Sequence, residues 1–337
     1  MQYSLQVHHN HPSDMEAWNK LCAVSGNFFQ STYYDEPQKF FHQQPVYFEA
    51  YTENQLTGGV KLYRWESRKL GIFSSAISKY AIQFGEIILT GLNENRLLQL
   101  INEKVNSYLC SEKIVKFTAT GVYGNESLLI KLALNPNFVF RFNSAYVSID
   151  DTFENIQSGF NENTKRNIKK AIKAGVIFKE ENDIGKFLEL EAKVYAQQQG
   201  GKPPSPDFVR RIFSSLSKTG KLQIHFAELN NEVWSSAFCV THGQCAYYIY
   251  GGTIRNNFGT GQFLFSELMK YYRERGIKKF FFGQVAPAID ESNRKFSEGI
   301  SNFKRGFGTE EIESSKKIYI LKPFKNKLWE ILLTMKK

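Results

Sequence analysis

The sequence predicts an α/β fold in two domains, and three observations carry the prediction. Strand-patterned and helix-patterned segments alternate along all 337 residues, with helices entered directly from strand ends. Three strand patterns, LQIHFAEL, VWSSAFCVT and CAYYIYGGT, follow one another across the short turns Asn230-Asn231 and His242-Gly243, as a meander does. The chain holds 29 Phe and 17 Tyr, a supply of ring residues that favours sheets and aromatic-lined grooves. Its length is enough for two domains with cores of their own.

Taken in order, residues 15–25 read as a helix. Strands over 46–51 and 57–65 follow around a Glu53-Asn54 turn. FGEIILT comes next, then a helix over about 95–109 and the strand KIVKFTA. A second half repeats the rhythm without repeating the sequence. It has the strand AYVSI, a short helix over 153–160, a basic helix, the strand VIFKE and a helix over 184–198. QQQGGKPPSP is a loop by composition. After a helix over 207–217 and the meander come a helix over about 261–275, the strand KKFFFG and a helix over 292–305. The expected division is 1–144 and 145–337, with 318–337 free to pack back on the first domain.

Net charge is +10, which points toward a polyanionic partner such as RNA, a nucleotide or an anionic membrane surface. The N-terminus lacks a basic region leading into an apolar run, and no stretch approaches 18 uninterrupted apolar residues. The four cysteines (Cys22, Cys110, Cys239, Cys245) lack metal spacing, and a reducing cytoplasmic compartment is expected. His8, His9 and His11 have no carboxylate or cysteine at useful spacing, so a polar terminal loop is expected there and no metal.

NTKRNIKKAIKAG is the basic helix. At 100° per residue Lys165, Arg166, Lys169, Lys170 and Lys173 share an arc of about 140°, with Ile168, Ala171 and Ile172 opposite. Asn163 or Thr164 is placed to cap its start, and Gly175 suits the left-handed position after its end. Three like-charged i, i+4 pairs each cost about 0.2–0.5 kcal/mol, so the face is either simply solvated or a docking surface for phosphate. RNNFGTGQ joins the last meander strand to the helix after it. Glycines at such a junction either make a plain turn or let backbone amides approach a pyrophosphate. FKRGFG sets Lys304 and Arg305 at a helix C-terminus, a place that favours cations with or without a function. The basic C-terminal segment KPFKNKLWEILLTMKK suits either packing on its own domain or lying on an anionic membrane.

Taken together, NTKRNIKKAIKAGV, YYIYGGT, GTGQFLFSELMKYYRERGIKKFFFG and FKRGFG, in that order, resemble the FemABX superfamily; GNFFQSTYYDE is similar to its opening segment. The resemblance implies two GNAT-like domains in tandem and the chemistry of an acyltransferase. It implies an aminoacyl-tRNA donor and an amine acceptor on a lipid- or nucleotide-linked envelope precursor, with association at the inner membrane face. It implies that Lys304 neutralises charge at the transferred acyl group. Lys165, Arg166, Lys169 and Arg305 would flank phosphate, and Tyr250 with Gly251 would line the cleft. Asn256, Gly259 and Gly261, read as N-x-x-G-x-G, resemble the acyl-CoA pyrophosphate loop, although that loop normally opens with Gln or Arg. The muropeptide enzymes of the family carry an Asp-Pro after a first-domain strand. VKFTATGVYGN offers no carboxylate there, which leaves Asp290, Glu291 or Glu298 as substitutes. Two alternatives stand beside this reading: an acyl-CoA-dependent transferase acting on an amino sugar or small metabolite, and a nucleic-acid-binding protein without catalysis.

Overall fold

The computed structural model describes residues 3–25, 27–67, 71–90, 94–122, 125–197, 203–285 and 294–334. Two compact units divide the chain. The first is Met1–Phe142 with Glu313–Lys337, and the second is Asn143–Ile312. The boundary falls at 142/143 where the expected division has 144/145, and the segment that returns to the first unit begins at 313 where the sequence reading has 318.

The first unit contains β1 (Tyr3–His9), α1 (Met15–Ser25), α2 (Asp35–Lys39), β2 (Gln44–Thr52), β3 (Gln55–Trp65), α3 (Gly71–Ile77), β4 (Tyr80–Phe84), β5 (Ile88–Leu89), α4 (Glu94–Ser111) and β6 (Lys116–Thr120). Next comes β7 (Phe138–Ser148), followed by the elements of the second unit. These are α5 (Phe153–Ser158), α6 (Glu162–Ala174), β8 (Ile177–Glu180), α7 (Ile184–Ala196), α8 (Pro206–Leu216), β9 (Leu222–Leu229), β10 (Glu232–His242), β11 (Cys245–Tyr250), α9 (Thr260–Arg273), β12 (Lys279–Val285) and α10 (Arg294–Arg305). The chain closes with β13 (Glu310–Ile320) and α11 (Pro323–Thr334).

Both units use one strand plan. In the first, β1, β2, β3 and β4 are antiparallel neighbours, β6 joins parallel to β4, and β13 pairs antiparallel with β6. In the second, β8, β9, β10 and β11 are antiparallel neighbours, β12 joins parallel to β11, and β7 pairs antiparallel with β12. A parallel pair needs a crossover, which α4 supplies in one unit and α9 in the other. Strand β13, at the end of the chain, completes the first sheet, so no local pattern announces the return.

Two segments differ from the sequence expectation. His8 and His9 lie in β1, paired with Tyr47 and Val46, rather than in a terminal loop. No metal-binding group of His, Cys, Asp or Glu is present among the described residues. On α6, Ile168 and Ala171 are buried with Thr164, whereas Ile172 is 60% exposed; the stripe facing the core is narrower than three apolar residues suggest. The α6 cap is Asn161, whose Oδ1 accepts from Thr164 N at 2.8 Å, and Gly175 ends the helix at φ +81°. Helix α11 buries Trp329 against Trp65 and packs on α3. No described helix is long and apolar enough to cross a membrane.

The GNFFQSTYYDE segment is tied into the first unit by buried polar bonds. Gln30 Nε2 donates to Phe84 O, and Lys61 N donates to Gln30 Oε1. Asp35 accepts from Lys61 Nζ and Tyr63 Oη, both at 2.7 Å. Burial pushes the Lys61 ammonium down from its usual range while Asp35 opposes the shift. Removing one member of such a pair strands a charge, which costs about 3–5 kcal/mol. Asp35→Ala is therefore expected to unfold the first unit in a urea titration well before the second.

Candidate active site

Strands β11 and β12 pair in parallel only over Cys245–Tyr247 and Lys279–Phe281. Beyond that, β11 runs into Gly251-Gly252 and β12 shifts register at Gly283. A cavity of about 610 Å³ lies beside the β11 end. Its lining includes Tyr248, Gly251, Arg255, Gly259, Gly261 and Lys304.

The floor of this cavity is the start of α9. Gly259 is its N-cap at φ +77°, and no side chain caps the helix. Unsatisfied N–H groups and the positive end of the helix dipole therefore meet the cavity at Thr260, Gly261 and Gln262, the arrangement that receives anions. Glycine is required at 259 on two counts. Its backbone is left-handed, and a Cβ would stand 2.3 Å from the Asn167 carbonyl oxygen of α6. At Gly261 a Cβ would meet Thr253 Oγ1 at 2.8 Å.

Asn256 lines the cavity and holds this loop in shape. Its Oδ1 accepts from Phe258 N at 2.9 Å and Gly259 N at 3.2 Å. Its Nδ2 donates to Ile254 O at 2.7 Å and Thr260 Oγ1 at 2.8 Å. Asn256, Gly259 and Gly261 of the expected phosphate loop thus all line the cavity, with the four side-chain bonds of Asn256 shaping the loop. Arg255 lines the cavity beside it.

Lys304, near the end of α10, is set into the wall by its neighbours. Phe303 and Phe307 pack on Phe265 with ring centroids 5.4 and 5.9 Å apart, alongside Phe282. The residue is 9% exposed, and its Nζ donates to Gln284 O at 2.6 Å. Burial pushes its ammonium down to about 8. No ion pair is recorded for it among the described residues. A cation held this way is available to a charge that arrives with a ligand.

Other expected site residues lie elsewhere. Tyr250 is not in the lining; a bulge between Phe238 and Cys239 shifts the β10–β11 register, so Tyr250 pairs with Phe238 while Tyr248 pairs with Cys239. Tyr250 then packs beside Phe238, and Tyr248 takes the cavity face, with its Oη donating to Gly251 O at 2.5 Å. Gly251 does line the cavity, at φ +142° and with Ser236 O 2.3 Å from where a Cβ would sit.

Lys165, Arg166 and Lys169 are also outside the lining. Lys165 Nζ donates to Ser158 O, Arg166 Nη2 donates to Asn163 Oδ1, and Lys169 is exposed. What α6 supplies to the site is its buried side: Asn167 abuts Gly259, and the Thr164 hydroxyl lies 2.5 Å from a Cβ built at Gly306. Arg305 is fully engaged with Glu311, through Nε at 2.5 Å and Nη2 at 3.2 Å, and so serves the helix end. Glu298 is exposed, and Asp290 and Glu291 lie outside the described residues.

Two carboxyls escaped sequence reasoning. Glu86 reaches the stretch that lacks its own acid: its Oε1 accepts from Val122 N at 3.0 Å. After β4, at the strand end that corresponds to the end of β11, Asn27 Oδ1 stands 2.6 Å from a Cβ built at Gly85. Glu191 of α7 is buried behind the Gly251-Gly252 wall. Ser236 Oγ donates to it at 3.5 Å, and Ser236 N donates to Gly252 O. The signal was present, since Glu191 lies at i+4 from Phe187 and i−3 from Val194, on the helix's apolar stripe. Burial raises its carboxyl to about 7. An acid raised in the folded state binds protons that the unfolded chain has released. Stability therefore falls as pH rises from about 4.5 to about 7, by something on the order of 3 kcal/mol. Glu191→Gln is expected to flatten that slope in thermal melts taken across this window; an unchanged slope contradicts the assignment.

Residues 158–305 match the model of an acetyltransferase (GNAT) domain. No curated protein matches the sequence. Among solved structures, the crystal structure of FemX aligns over 95% of this chain and 99% of its own, at 14% identity and a TM-score of 0.73. The C-terminal domain of a putative lysylphosphatidylglycerol synthetase from Agrobacterium fabrum covers 90% and 92%, at 11% identity and 0.52. A tandem GNAT protein from the clavulanic acid biosynthesis pathway covers 94% and 98%, at 10% identity and 0.54. The fold and the matched domain define an acyltransferase of the tandem GNAT class. Across the whole chain the fold is similar to that of FemX.

Proposed function

We propose that this protein transfers an aminoacyl group from aminoacyl-tRNA to an amine of a peptidoglycan or other cell-envelope precursor. One observation carries the reading: Lys304, a buried cation, shares a cavity with the uncapped N-terminus of α9. A donor that brings phosphate to the helix end sets its acyl carbon within the same enclosure. The acceptor amine, unprotonated, attacks the ester carbonyl. A C–N bond forms, the ester C–O bond breaks, and the ribose oxygen leaves with a proton lost from the attacking nitrogen. Negative charge gathers on the carbonyl oxygen and the leaving oxygen during this exchange, and Lys304 with the α9 amides stabilises it. The ester is already activated, so positioning and charge suffice without a strong base.

The neighbours' names point the same way, since FemX and a lysylphosphatidylglycerol synthetase share this fold. A second reading keeps the site and changes the donor to acyl-CoA, acting on an amino sugar or small metabolite. It is favoured by the glycine turn at α9 and by the GNAT match. Filter binding separates them: salt-sensitive retention of charged tRNA over uncharged tRNA supports the first, and saturable CoA binding without tRNA retention supports the second. Binding of any nucleic acid alike, with no transfer from either donor, contradicts both.

A further inference from the structure

The first unit carries an apolar projection that no part of the transfer reaction uses. Leu134 is 45% exposed, and at the start of β7 Phe138, Val139 and Phe140 are 53%, 43% and 54% exposed. Successive residues of a strand point to opposite faces, so Phe138 and Phe140 lie on one side of this segment and Val139 on the other. Asn137 fixes its base: its N–H donates to Ile318 O at 2.8 Å, and its Oδ1 accepts from Ile320 N at 2.6 Å. The strand anchored there leads into α11, whose Phe324 is 80% exposed.

Charge accompanies the apolar side chains. Lys316 of β13, the strand beside β7, and Lys322 just after it are exposed, as is Lys131 upstream in sequence; Arg141 follows the segment directly, paired at 2.7 Å with Glu313. We propose that this projection, with Phe138, Val139 and Phe140 at its edge and lysines at its flanks, inserts into the surface of an anionic lipid membrane. A flat protein partner covers one face of a strand and leaves the other wet. The interfacial layer of a bilayer receives both faces at once, and its anionic headgroups meet the lysines.

The test is sedimentation of the full chain with vesicles of mixed phosphatidylglycerol and phosphatidylcholine, and with phosphatidylcholine alone. The wild type is expected to sediment with the anionic vesicles, less so as salt rises. Phe138→Ser/Phe140→Ser is expected to bind at least about tenfold more weakly, with an unchanged circular dichroism spectrum. Lys131→Glu/Lys316→Glu is expected to erase the preference for anionic lipid. The proposal is overturned if the wild type stays in solution, or if the serine variant binds as well as the wild type. It is equally overturned if the wild type is a dimer that the serine variant converts to monomer, since a second copy then covers the edge.

Discussion

Replacing Lys304 by alanine is expected to reduce transfer by at least about 10²–10³-fold, the scale set by removing one group that faces developing charge. Melting temperature is expected to move little, within about 5 °C, because the change removes packing and a desolvated charge together. The pH dependence carries more information than the loss itself. Burial holds the ammonium at about 8, so its cationic fraction falls as pH rises through that value. If Lys304 acts as a cation, the wild-type rate at saturating donor declines above about pH 8. A Lys304 that accepts the proton of the amine gives the opposite limb, with the rate rising through the same interval. Loss of the descending limb in the residual rate of Lys304→Ala assigns the limb to this residue.

The second large effect is expected at Gly259. Gly259→Ala places a methyl group 2.3 Å from a backbone oxygen of α6 in a left-handed conformation, so the loop at the start of α9 has to move. Gly175 supplies the control. It too is left-handed, at φ +81°, but nothing lies within 4 Å of its Cβ position. Gly175→Ala is expected to cost about 1–2 kcal/mol of stability and leave donor affinity unchanged. Gly259→Ala is expected to cost more than that in a denaturant titration and to weaken donor binding about tenfold or further. Equal behaviour of the two variants would remove the α9 loop from donor recognition.

How far the sequence could be read depends on whether the decisive interaction was local. The helices and the meander were legible because period and turn chemistry are written within ten or twenty residues. Strand β1 was obscured by polar His8 and His9, which occupy strand positions. The first unit's last strand comes from the far end of the chain, and only the tertiary pairing of β13 with β6 reveals it. At the site, Gly259 and Gly261 could be picked out as glycines at a strand-to-helix junction, whereas Gly251 and Lys304 were named through the resemblance of YYIYGGT and FKRGFG to family motifs. Tyr250 was named through the resemblance, and the bulge that turns Tyr248 rather than Tyr250 to the cavity leaves no mark in the alternation. Asn256 and Arg305 carried the right chemistry, yet their hydrogen bonds are spent on the loop and on Glu311, partners that no spacing rule supplies. The α6 cations form the most conspicuous pattern in the sequence, whereas the helix serves the cavity through its buried side.

Hydrogen exchange measured with and without donor tests the central claim most directly. With charged tRNA or acyl-CoA, amides of residues 259–265 at the start of α9 and 299–305 in α10 are expected to exchange more slowly, with the first-unit junction around Gly85 unaffected. Protection at the Gly85 junction instead, or none at α9 under conditions where donor binding is independently detected, would contradict the account.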